Sequence, residues 1–222
     1  MLTPVIRRPN DANLATRPGI SGQPSAQAFD WRIVEQWAAA ILADDLGPIV
    51  GTFKSRGAQG PSLAWDPSLG PAAPEPIRFL HAYWTELAAG RAMPRMSEID
   101  ALALRPALGY IALLDVVDGG RDFRYRLYGT ILAAVAGFDM TGRLTSEHKA
   151  SPYITHFYMA SHRAAVARGR PFITEHRPGS AQITKGWHRI VLPFTGADGS
   201  VQRFLVGGVP IGNDGRLIRI TL

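Results

Sequence analysis

No cysteine occurs among the 222 residues. Disulfides, thiolate metal sites and cysteine nucleophiles are thereby excluded. Long apolar runs are missing too. None approaches the roughly 18 residues that a bilayer-spanning helix needs, and the stretch after Arg7-Arg8 has no apolar core of the kind a secretory leader carries. A cytoplasmic protein without a membrane partner is expected. Lysine is scarce, three residues against twenty-one arginines. The net charge of +6 is uneven: six basic and seven acidic residues lie at or before Glu75, so the surplus falls in the later part. Those arginines form no Lys/Arg run, helix-turn-helix or RNP pattern, which argues against a nucleic-acid partner and favours an acidic protein surface or an anionic ligand. Hydrolase and nucleotide signatures are also lacking. Gly179-Ser180 is no G-x-S-x-G elbow, and H-E-x-x-H, P-loop and G-x-G-x-x-G sequences do not occur. Asp44-Asp45 reads as a solvated helix end. No catalytic residue and no metal site is assigned, and an enzyme is not expected.

What is present supports a core. With 46% hydrophobic residues, one domain of ordinary size plus an N-terminal extension is the simplest organisation. Residues 1–23, rich in Pro, Gly, Asn and Ser, are expected to be disordered. In residues 24–75 a helix capped at Pro24-Ser25 and stopped at Gly47-Pro48 precedes a Pro/Gly-rich linker. Its stripes, Trp31, Val34, Ala38, Ile41 and Leu42 beside Phe29, Ile33, Trp37 and Ala40, make an apolar face too broad for solvent. That face is expected to cover the sheet of its own core or to join a second copy or partner. Residues 76–212 form the main domain and 213–222 a tail. A helix over about 75–89 carries Ile77, Leu80, Trp84 and Leu87 on one stripe, and Ser97 with Asp100 resembles a capping box. Strands follow at 110–117 and 122–128, then short helices to about His148, a long helix over about 153–168, and strands at 171–177, 186–194 and 201–209.

The segment FRYRLYGTILAAVAGFDMTGR (123–143) carries a resemblance. Tyr83-Trp84, the Met93-Pro94 turn, the short acidic helix from Ser97 to Asp100, Leu113 to Val116, Tyr125 to Thr130 and Asp139 to Arg143 stand in the order of a PAS core, of the variant common in alphaproteobacteria. The resemblance covers about residues 76–212. It implies an α+β fold with a five-stranded antiparallel sheet and helices on one face. It also implies a sensory or interaction module in bacterial signal transduction. Without cysteine, flavin-cysteinyl adducts and thioester-linked chromophores are excluded.

Within that resemblance Arg126, Gly129, Thr130, Asp139, Gly142 and Arg143 are the motif residues, and they read as mainly structural. The glycines suit turns that need positive φ. Asp139 and Thr141 suit a helix cap. Arg126 and Arg143 suit either a bound carboxylate or phosphate, or ion pairs to Asp139 or Glu147. Some PAS domains hold haem through a histidine of the long helix. A helical wheel puts Ile154, Phe157, Tyr158, Ser161 and Ala165 inside, His162 at their border, and His156 outward with Arg163. His162 is the better axial candidate, although a boundary histidine is the simpler reading. His176 and His188, preceded by Glu175 and Trp187, could line a pocket. Treating them as the polar face of a hairpin is preferred if only one sheet face is covered.

The chain is thus expected to be a PAS module without an output segment of its own. A small ligand between sheet and long helix, or direct docking, would alter the packing of the N-terminal helix. Tyr125, Leu127, Tyr158, His162, Phe172 and Trp187 are the pocket candidates. Expected partners are a second copy of the chain and a signalling protein such as a histidine kinase or cyclase. No cofactor is required by the sequence. A haem or flavin redox sensor, a purely structural dimer module and a small α+β enzyme are the alternatives.

Overall fold

The computed structural model describes residues 29–179 and 186–219. The expected disorder of residues 1–23, the Pro24-Ser25 cap and Ser180 lie outside them. A single antiparallel sheet organises the chain, with strands β1 (Gln59–Trp65), β2 (Ile111–Val117), β3 (Asp122–Tyr128), β4 (Phe172–Arg177), β5 (Gly186–Thr195) and β6 (Val201–Ile211). Their order across the sheet is β1-β4-β5-β6-β2-β3. The helices are α1 (Trp31–Leu42), α2 (Gly47–Ser55), α3 (Glu75–Ala88), α4 (Thr130–Ala136) and α5 (Pro152–Arg168). The α+β class and the five expected strands stand; a sixth strand, β1, extends the sheet beside β4.

Two expectations for the N-terminal third are corrected. The segment read as a linker forms α2 and β1. Proline misleads there because Pro48 occupies the first turn of α2, where no amide hydrogen is needed, and Pro61 sits in an edge strand next to a register shift. Gly47-Pro48 is therefore a helix start, and α1 ends earlier, at Leu42. The Ser97-Asp100 box is not formed either. Glu98 takes the capping role, accepting from Arg95 N at 2.6 Å and pairing with Arg91 at 2.9 Å.

Helices cover both faces of the sheet, not one. The apolar runs Ile190 to Phe194 and Phe204 to Val206 have no polar alternation, the pattern of strands buried on both sides. Phe204, Val206, Val191, Leu114 and Phe172 belong to the cluster under α1, α2 and α5. Ile190, Leu192, Leu205 and Val209 pack instead with Ile77, Leu80 and Trp84 of α3. Gly207 lets α3 approach, because a Cβ there would lie 2.5 Å from Leu80 Cδ1. Trp84 Nε1 donates to Pro193 O at 2.7 Å and fixes the helix over the sheet. Each fully buried Ile, Leu or Phe side chain contributes about 1.5–3 kcal/mol.

The apolar face of α1 is covered within the same chain, but by α5 and not by the sheet directly. Val34, Trp37, Ala38 and Ile41 are buried there. Both ends of α1 are tied to α5: Asp30 N donates to His156 Nε2 at 2.9 Å, and the Arg168 guanidinium holds Leu42 O at 2.8 Å and Asp44 at 3.0 Å. His156, read as outward-facing, is consequently buried, with its ring 5.0 Å from Phe29 and 6.1 Å from Trp37. A wheel drawn for α5 alone leaves that side open; α1 closes it.

Candidate functional site

The turn after β3 shapes one wall of a cavity. Gly129 precedes α4 as its N-cap at φ −60°, so a close approach and not positive φ demands glycine: a Cβ would sit 2.5 Å from Gly109 O. At Gly142, φ is +81° and the expected reason holds. Asp139 accepts from Thr141 N and Oγ1, both at 2.8 Å, closing its own turn instead of capping a helix. That turn docks on the free edge of β3 through Tyr125 N to Arg143 O (2.9 Å) and Gly142 N to Tyr125 O (2.7 Å). Arg126 pairs with Asp115 across the strand and not with Asp139 or Glu147; Arg203 holds the same carboxylate at 2.6 Å from the other side. Glu147 accepts from Leu144 N. Thr130 is the first residue of α4.

Between this turn, α4, the 148–151 segment, the first half of α5 and the sheet lies a cavity of about 400 Å³. Ala112, Leu114, Val206 and Gly208 form part of its lining from β2 and β6. Tyr125 and Tyr128 come from β3, His176, Trp187 and Arg189 from β4 and β5, and Ile154 and Tyr158 from α5. Of the expected pocket residues, Tyr125, Tyr158 and Trp187 line it.

Leu127, His162 and Phe172 do not. A bulge opposite Leu113 and Leu114 inserts Arg126, so Tyr125 and Tyr128 share the cavity face while Leu127 turns to the α3 side. Phe172 lies at the other end of β4, packed on Trp65 with ring centres 5.2 Å apart. His162 is one turn beyond Tyr158, fully buried, its ring stacked on Phe204 at 5.5 Å. The paired histidines part company as well. His176 stands opposite Trp187 and faces the cavity, while His188 stands opposite Glu175, 3.2 Å from its carboxylate, outside the cavity.

Tyr128, His148, Lys149, Ser151, His176 and Arg189 complete the polar lining. Tyr158 Oη and His176 Nε2 are 3.2 Å apart, and the Arg189 guanidinium lies 3.8 Å from the centre of the Tyr158 ring. His148 Nδ1 accepts from Ala150 N at 3.1 Å, which leaves the proton of the neutral ring on Nε2. Burial, and secondarily the charge of Arg189, pushes His148 down to about 4 and His176 down to about 3. His162 is lowered well below the usual value for the same causes. Desolvation raises the Tyr125 hydroxyl to about 12 and raises Tyr128 further. The lining at neutral pH therefore offers neutral ring nitrogens, protonated hydroxyls and the Arg189 cation. One sequence signal pointed to Arg189: Trp187, Arg189 and Val191 alternate in phase, which puts the arginine on an apolar face.

Among the described residues, no cluster of His, Asp and Glu is arranged to hold a metal ion, and no helix is long and apolar enough to cross a membrane.

Residues 73–207 match a family model described as PAS domain. No curated protein matches the chain in sequence. Among solved structures it is similar to an RNA-binding light-oxygen-voltage receptor at 11% identity, covering 82% of this chain and 59% of the receptor's, so the chain spans less than two thirds of that protein's length. The TM-score of 0.38 adds nothing to the assignment of fold or site.

Proposed function

The chain belongs to the PAS domain family, and from that premise we propose that it is a sensory module whose cavity takes up a small ligand and whose state is passed to a signalling partner. The cavity carries this reading: about 400 Å³ lined by aromatic and aliphatic side chains, with a few polar groups converging on it, is the form of a small-molecule site.

Helix α5 supplies the link to the rest of the molecule. Ile154 and Tyr158 face the cavity, while His156 and Arg168 of the same helix hold the two ends of α1. A ligand that binds one packing of α5 better than another biases α1 by that difference in affinity. Binding and not catalysis is proposed, because no carboxylate stands among the lining residues to act with His148 or His176 as a general base.

Native mass spectrometry of the freshly purified chain, with an absorbance scan of the same sample, tests the proposal. A bound mass that disappears in Val206→Phe, where a ring fills the cavity floor, supports it. A Soret or flavin band would make the ligand a chromophore. A bare chain mass, with no thermal shift from any added small molecule, would sink the ligand reading and leave a module that works by docking alone.

A further inference from the structure

Arg189 is only 5% exposed, yet no carboxylate among the described residues reaches it. Asp122, a buried acid of the described residues, accepts from Phe123 N and Ser146 Oγ. One guanidinium nitrogen, Nη1, is buried with no hydrogen-bond partner, and Nη2 has only a long contact of 3.4 Å to His162 Nε2. A permanent cation stripped of water and left without a counter-charge is strongly unfavourable unless something supplies that charge. The residues around it do not: His148, His162 and His176 are held neutral, and the tyrosines stay protonated.

We infer that the cavity is built for a small organic carboxylate, its anionic head on the Arg189 guanidinium and its apolar or aromatic body between α4, α5 and Trp187. A guanidinium fork matches a carboxylate in geometry and charge. Among the described residues Lys149 is the other cation of the lining, exposed at the rim, so the buried part of the site balances one negative charge and not the two of a phosphate monoester. The Nε2–H of His148 and the hydroxyl of Tyr128, both residues of the lining, are further donors to the same head. The inference rests on the ligand-sensing reading and adds the class of ligand.

The test titrates phenylacetate, indole-3-acetate and octanoate, each against its amide, and phenyl phosphate, into the full chain by calorimetry and thermal shift. One or more carboxylates should bind and stabilise, their amides should not, and Arg189→Met should weaken carboxylate binding roughly 10- to 100-fold. Without ligand, Arg189→Met should melt no lower than the native chain, because methionine fills similar volume without a buried charge. Arg189→Lys keeps the charge and should retain part of the affinity. If amides bind as well as acids, or Arg189→Met binds the acids unchanged, the carboxylate inference is wrong while the sensor reading survives. Tighter binding of phenyl phosphate than of every carboxylate would also overturn it. If no probe binds at millimolar concentration and the purified chain carries no bound mass, both fall together.

Discussion

At the scale of residues, buried titratable groups decide the pH response. His176 is 2% exposed and is pushed from the ordinary 6.5 down to about 3 in the folded chain. At neutral pH it is uncharged both folded and unfolded and contributes no pH dependence. As pH falls below 6.5 the unfolded chain takes up a proton that the folded chain refuses until about pH 3. Stability should therefore fall on acidification, by about 1.4 kcal/mol per pH unit for this one group. Lowered His148 and His156 act in the same sense. Urea denaturation between about pH 6.5 and pH 5, above the range where carboxylates titrate, checks this. His176→Phe should flatten the slope by one group's share; an unchanged slope would mean that His176 is hydrated.

At the scale of elements, α1 is a lid on α5 and its apolar face is already occupied. Trp37→Ala should destabilise the fold by about 3 kcal/mol or more, since Trp37 is 6% exposed within the core. Light scattering should give the same molecular mass for the variant as for the native chain. A halved mass would show that Trp37 holds two copies together, which the packing of α1 on α5 argues against. The segment from Gly47 to Trp65 carries the clearest lesson about legibility. Its prolines and glycines read as punctuation, while Phe53 and Trp65 signalled burial: Phe53 is fully buried and Trp65 packs on Phe172. Whether a Pro breaks an element depends on whether its missing hydrogen would have had a partner, and that is a property of the neighbouring strand or turn.

At the scale of the whole molecule, the cavity, α5 and α1 form one continuous packed path. Hydrogen exchange with and without phenylacetate is the measurement. Ligand should slow exchange in α4 and the first half of α5, and it should change exchange in α1, which contributes no residue to the cavity lining. Protection confined to α4 and α5 would show that binding occurs but is not transmitted to α1.

The sequence by itself determined the strand and helix order from Tyr110 to Val209, the family motifs, and Tyr125, Tyr158 and Trp187 as cavity residues. The element order follows from periodicities of two and 3.6 and from turn residues, all of which are local, whereas the motifs and the cavity residues came with the resemblance to the PAS family. Tertiary structure decided the rest. The bulge at Arg126 exchanged Leu127 for Tyr128, the β4–β5 register split His176 from His188, α1 buried His156, and folding left Arg189 without a counter-charge. Each depends on which surface arrives from a distant part of the chain, and burial, unlike periodicity, is not a local property.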